Sequence, residues 1–169
     1  SNWRNQMSLD EFLRAHDIPG LAGIDTRALV RRLRDHGVMK GTLLGPDVDL
    51  GAALEGLRAR QLPTDQISQV STRTAYPSPL GKYNVVLFDF GLKHSILREL
   101  DRRGCAVTVV PHDFTANRVR TLSPDGIMLS NGPGDPKSIP QAIDVIRDLQ
   151  EEYPIFGICM GHQLLSLAN

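Results

Sequence analysis

The amino-acid sequence predicts an α/β fold, a mostly parallel open sheet with helices on both faces, preceded by a partial helical N-terminal domain. Three observations carry the prediction. Short apolar runs at Val85–Phe88, Ala106–Val110, Gly126–Leu129 and Pro154–Ile158 have strand length and little polar alternation, as strands buried on both faces require. Amphipathic stretches separate them, near Leu92–Arg103, Thr115–Leu122 and Ser138–Glu151, and a last helix opens at Met160. Before Pro63 the apolar residues recur instead at helical spacing. The alternation of strand and helix implies right-handed crossovers.

Taken in order, Ser8 with Glu11 three residues on matches a capping box at the head of a helix running to about His16. Leu29, Val30 and Leu33 share one face of a second helix, Thr26–His36, which Asp25 can cap and Gly37 can end. Arg27, Arg31, Arg32 and Arg34 make the rest of that helix basic, most simply as a solvated face, with partner contact the lesser reading. Leu50, Leu54 and Leu57 give a third helix that closes before Pro63. Residues 71–83, STRTAYPSPLGKY, show neither period and read as a linker. The predicted organisation is therefore a partial N-terminal domain at 1–70, a linker at 71–83 and an α/β domain at 84–169.

Nineteen basic and nineteen acidic side chains cancel, so no long-range field draws nucleic acid or anionic lipid to the chain, and neither is expected as a partner. No apolar run approaches the roughly 18 residues of a membrane span, and the first residues lack a signal-peptide core. The expectation is a soluble, cytoplasmic protein. Cys105 and Cys159 are too few for a disulfide framework and lack the close spacing of a zinc site, so no metal is expected.

Cys159 lies at the turn from the fourth apolar run into the last helix, with Gly157 and Gly161 two residues to either side. A nucleophile on such a turn is lifted clear of the sheet, and the glycines let neighbouring backbone pass closely. The start of the following helix favours an anionic sulfur, and its free amides, Met160 first, can receive the oxyanion formed when sulfur attacks a carbonyl. The competing reading is a small buried hydrophobe with glycines for packing. In an open α/β sheet the ligand site lies at the carboxyl ends of the strands. That edge collects DFGLKH, PHD, SNGPGDP and Cys159. Gly132 and Gly134 of SNGPGDP can offer a second oxyanion donor or hold a ligand's backbone atoms, although the stretch by itself is an ordinary turn.

FGICMGHQLL together with LSNGPGDP resembles the class I, triad-type glutamine amidotransferases, in which a cysteine hydrolyses the side-chain amide of glutamine and releases ammonia. GIDTRALVRRLRDHGVMKGTL, VVLFDFGLKHSILREL and the RGC and VVP that follow are similar, within that class, to the small, glutaminase subunits of carbamoyl-phosphate synthetases. The likeness runs from about Trp3 to the last residue. It implies Cys159 as nucleophile, the Gly132 and Met160 amides as oxyanion hole, and Gly132, Gly134, Met160 and Gln163 as glutamine contacts. It also implies an N-terminal domain that contacts a large synthetase subunit. That subunit would receive ammonia through a tunnel and make carbamoyl phosphate from bicarbonate and ATP, for arginine and pyrimidine biosynthesis. No cofactor belongs to the small subunit; ATP and magnesium serve the large one.

In the resembled family the base and its orienting group form a His-x-Glu pair well after the cysteine. The chain ends at Asn169 without one, and it begins in mid-domain, so the expectation is a fragment, or the ordered part of a longer protein. Of the histidines present, His162 sits in the first turn of the last helix and reads as packing. His94 and His112 lie at the right edge but read as loop or helix residues, and His16 and His36 close helices. Asp89 and Asp135 cap or orient loops. Two alternatives stand beside the leading one: an amidotransferase serving another acceptor, such as anthranilate or a purine nucleotide, and a non-catalytic flavodoxin-like module with SNGPGDP cradling a phosphate.

Overall fold

The computed structural model describes residues 6–78 and 80–169. Residues 1–5, where the predicted N-terminal domain and the resemblance begin, and Pro79 in the predicted linker lie outside the described residues. The chain divides into two compact units, Ser1–Ala59 and Arg60–Asn169.

The described residues of the first unit form three helices, α1 (Leu9–Ala15), α2 (Thr26–His36) and α3 (Leu50–Ala59). Their ends form where local chemistry places them. The Ser8 hydroxyl accepts from the Glu11 amide at 3.2 Å while the Glu11 carboxylate accepts from the Ser8 amide at 2.7 Å, which completes the capping box. Ser8's amide first, and its hydroxyl second, hold the Glu11 carboxyl below its ordinary range. Asp25 caps α2 through the Ala28 amide at 2.9 Å, and Gly37 follows its last residue. None of the three helices buries a residue, and Leu29, Val30 and Leu33 stay exposed on α2.

The second unit is built on a five-stranded sheet of order β1-β3-β2-β4-β5. Its strands are β1 (Tyr76–Pro77), β2 (Tyr83–Asp89), β3 (Cys105–Pro111), β4 (Gly126–Leu129) and β5 (Ile155–Gly157). β2 to β5 are parallel to one another and β1 joins β3 antiparallel, in keeping with the predicted mostly parallel sheet. The helices are α4 (Gln66–Val70), α5 (His94–Asp101), α6 (Ala116–Thr121), α7 (Pro140–Leu149) and α8 (Met160–Ala168). Successive side chains of β2 serve opposite faces. Val86 and Phe88 pack with Val119, Ile146, Met160 and Leu164 from α6, α7 and α8. Leu87 joins Val107, Val109 and Met128 under Ile96, Leu97 and Leu100 of α5. Burial on both sides explains why the strands read as unbroken apolar runs.

Two parts of the predicted organisation differ from what is observed. Residues 60–70, assigned above to the N-terminal domain, fold with the sheet: α4 carries Ile67, 3% exposed, into the core that holds Phe88 and Phe90. Residues 71–78 are bonded along the sheet margin rather than free. Ser71 Oγ accepts from the His112 amide at 3.0 Å, the Thr72 amide reaches Asp89 at 2.8 Å, Tyr76 pairs with Val109, and Ser78 Oγ donates to Asp101 at 2.8 Å. The small polar residues that erase any hydrophobic period are the ones whose hydroxyls and amides make these bonds.

Candidate functional site

The carboxyl ends of β2, β4 and β5 assemble the candidate site. Leu129 of β4 pairs in register with Gly157 of β5, so the chain leaves both strands side by side, into 130–136 from one and into Cys159 from the other. The Ile158 amide donates to the Leu129 carbonyl and the Gly161 amide to the Ser130 carbonyl, each at 3.0 Å. These two bonds tie the cysteine corner to the loop.

Cys159 stands immediately before α8 with φ 53° and ψ −110°, a left-handed conformation unusual for a residue with a β-carbon. Its side chain is exposed and makes no capping bond with the helix it precedes. The reading of this residue as a sealed core hydrophobe is therefore wrong. The turn closes because Gly157 and Gly161 touch: a β-carbon on Gly157 would lie 2.5 Å from the Gly161 carbonyl carbon and oxygen. Met160 is 1% exposed and begins the helix, and its amide has no hydrogen-bond acceptor among the described residues. Gln163 lies one turn further on, exposed, with its backbone amide donating to the Cys159 carbonyl at 3.0 Å.

The 130–136 loop is held from behind. Ser130 is fully buried: its Oγ accepts from the Phe90 amide at 2.9 Å and donates to the Asn131 carbonyl at 2.9 Å. The Asn131 side chain bridges the loop after β2, accepting from the Lys93 amide at 3.1 Å and donating to the Gly91 carbonyl at 2.8 Å. Gly132 presses against the Phe90 carbonyl so closely that a side chain there would collide with it. The Gly132 amide has no acceptor among the described residues. Gly134 adopts φ 85°, and the Gln66 side-chain oxygen lies 2.5 Å from where a β-carbon would sit. Ser130 and Asn131 did not stand out from the sequence. The one available signal was that two polar residues follow directly on a buried strand.

Asp89 and Asp135 orient loops, as their positions predict. Asp89 is 7% exposed, and its two oxygens accept from the amides of Gly91, Leu92 and Thr72 at 2.8 to 2.9 Å. Asp135 accepts from the Lys137 amide at 2.9 Å. Burial first, and the nearby Asp89 charge second, raise the Tyr76 phenol above its ordinary range.

No histidine among the described residues hydrogen-bonds Cys159. His112 follows β3, which β2 and β4 separate from β5, so about 14 Å of sheet lies between them. Its backbone amide is used by Ser71, while its Nδ1 is buried without a partner among the described residues. His94 opens α5, on the face opposite α8, and His162 is exposed on α8 itself. A predominantly apolar groove of about 870 Å³ lies under α5, lined by Ser95, Leu100, Met128, Phe156 and Ile158 among others. Among the described residues no group of three His, Cys, Asp or Glu side chains could hold a metal, and no helix is long and apolar enough to cross a membrane.

Residues 86–169 match the family described as glutamine amidotransferase class-I, and residues 1–43 match the carbamoyl-phosphate synthase small chain, CPSase domain. The chain is similar over its whole length to proteins named carbamoyl phosphate synthase small chain. It is 59% identical to those of Streptococcus pneumoniae serotype 4 and Streptococcus mutans serotype c, and 56% identical to that of Streptococcus agalactiae serotype III. It spans about half the length of these curated relatives, 47% in each case.

Proposed function

We propose, for a chain that belongs to the carbamoyl phosphate synthase small-chain family and carries class I glutamine amidotransferase sequence, that the protein hydrolyses glutamine at Cys159 and passes the ammonia to a synthetase partner. The observation that carries this reading is the presentation of Cys159. Its sulfur is exposed at a strained turn, with the Met160 amide unengaged beside it and the Gly132 loop bonded to the same corner.

In this reading the sulfur attacks the carbon of the glutamine side-chain amide, and the carbonyl π electrons move onto oxygen. The Met160 and Gly132 amides receive that oxyanion. One such donor commonly lowers the barrier by about 3 to 4 kcal/mol. Collapse breaks the carbon–nitrogen bond, ammonia leaves with a proton from the general acid, and water then cleaves the thioester to glutamate. Gly134 and Gln163 contribute to holding the amino-acid end of the substrate. In this reading the proton carrier is the histidine of the His-x-Glu pair that the resemblance implies, in a complete protein about twice as long as this chain if it matches its relatives. The partner is the large synthetase subunit, which uses the ammonia with bicarbonate and magnesium-bound ATP to form carbamoyl phosphate.

The test is Cys159→Ser in the complete protein with its partner. Glutamine-dependent carbamoyl phosphate synthesis is expected to vanish while ammonia-dependent synthesis persists. Retention of the glutamine-dependent rate, or equal loss of both, refutes the reading.

A further inference from the structure

We propose that Ser130 is a positioning residue, a latch that keeps the Gly132 amide pointing into the oxyanion site by fixing the peptide that joins Asn131 to Gly132. The proposal rests on the oxyanion role given to Gly132 above and adds to it the device that aims the donor.

The argument begins with the planarity of the peptide bond. In a trans peptide the carbonyl and the N–H point in opposite directions, so whatever holds the one aims the other. The carbonyl belonging to the Gly132 N–H is that of Asn131, and the Ser130 hydroxyl donates to it at 2.9 Å. A hydroxyl has one proton. Because the Phe90 amide already donates to Ser130 Oγ at 2.9 Å, the Ser130 proton is free to serve the Asn131 carbonyl.

Ser130 itself has no freedom to turn away. It is 0% exposed, its amide donates to the Phe88 carbonyl at 3.2 Å, and its own carbonyl accepts from Gly161, the second residue of α8, at 3.0 Å. One serine therefore joins β2, the oxyanion loop and the helix that follows the nucleophile. Beyond it lies Gly132, whose missing side chain imposes the least resistance of any residue to rotation of the preceding peptide. A site that uses a glycine amide as donor needs an outside restraint on that plane, and the Ser130 hydroxyl is placed to supply it. Asn131, whose side chain grips Gly91 and Lys93, holds the loop in place but leaves its own carbonyl to Ser130.

The experiment measures Ser130→Ala in the complete protein with its synthetase partner. Two rates at the same cysteine are compared: glutamine hydrolysis, which passes through an oxyanion, and alkylation of Cys159 by iodoacetamide, a displacement that forms none. The expected result is a fall in kcat for hydrolysis on the order of 10²-fold, close to loss of one oxyanion donor. KM should change less than threefold, and alkylation and ammonia-dependent synthesis should stay unchanged. Parallel loss of hydrolysis and alkylation would mean that the serine merely supports the corner, and unchanged hydrolysis would mean that the peptide needs no latch; either overturns the proposal. Both outcomes leave the role of Cys159 standing, which the Cys159→Ser result decides separately. If Ser130→Ala does not fold, Ser130→Cys takes its place, because a thiol is a similar but weaker donor. Hydrolysis reduced about tenfold with Cys159 alkylation intact supports the latch, and hydrolysis at the unsubstituted rate overturns it.

Discussion

Adding a methyl group to Gly157 should damage catalysis by moving the helix that starts beside the nucleophile, and the structure sets the size of the movement. The new β-carbon in Gly157→Ala would sit 2.5 Å from the Gly161 carbonyl carbon and oxygen and 2.6 Å from the His162 nitrogen, where ordinary contact begins at 3.4 Å. All three obstructing atoms are backbone, so no side chain can swing aside. Relief requires the first turn of α8 to retreat from β5 by about 0.9 Å. That turn holds the Met160 amide, and its Gly161 amide is bonded to Ser130. A displacement near 1 Å in a catalytic constellation costs about 10²-fold in rate, and overpacking of this kind destabilises a protein by about 1 to 3 kcal/mol. The assay is glutamate release by the complete protein, with ammonia-dependent synthesis by the partner as control and urea denaturation as the measure of stability. A Gly157→Ala protein that hydrolyses glutamine within twofold of the unsubstituted rate, at unchanged stability, would refute the claim that contact between these glycines shapes the site.

Asp89→Asn should lower stability by about 1 to 3 kcal/mol in urea denaturation, because one of the two oxygens that accept from Gly91, Leu92 and Thr72 is replaced by a donor. The same change should bring the Tyr76 phenol partway back toward its ordinary titration range, read by ultraviolet absorbance, since burial is the larger cause of its rise and the Asp89 charge the smaller. Gly56→Ala in α3 meets nothing within 4 Å, so it should stabilise that helix by about 0.5 to 1 kcal/mol, measured by amide exchange. Acidification should open the α1 cap. The Glu11 carboxyl titrates below its ordinary 4.5 in the folded state, so its contribution is full above that value and is lost as pH falls through the lowered one. The Ser8 amide resonance should hold steady down to about pH 5 and move only in more acid solution.

What the sequence revealed follows the range of the interactions concerned. The capping box at Ser8 and Glu11 and the Asp25 cap span three residues, and the structure forms both as expected. The parallel strands were legible because both faces of β2 are covered, which leaves an apolar run that local composition records. The helices fared similarly, with ends shifted by one or two residues; α7 begins at Pro140 because Pro136–Ser138 forms a separate 3-10 turn under the Asp135 cap. α4 and β1 were missed for the opposite reason. Five and two residues are too few to show a period, and their places come from partners far along the chain, Tyr76 with Val109 and Ile67 with the core.

The site divides along the same line. The glycines flanking Cys159 announce a corner because close passage of backbone allows little else at 157 and 161. The restraint on the oxyanion loop joins residues forty positions apart, Phe90 to Ser130 and Gly91 to Asn131, and a serine and an asparagine after a strand look like any polar turn. The histidines show the same limit from the other side. His112 reaches the correct edge of the sheet by its place in the sequence, yet strand order puts two strands between it and the sulfur. Nearness along a sheet edge depends on the order in which strands pair, which is set by the packing of all of them together. A nucleophile and its donor can be proposed from two neighbouring loops, but a base must be sought in three dimensions.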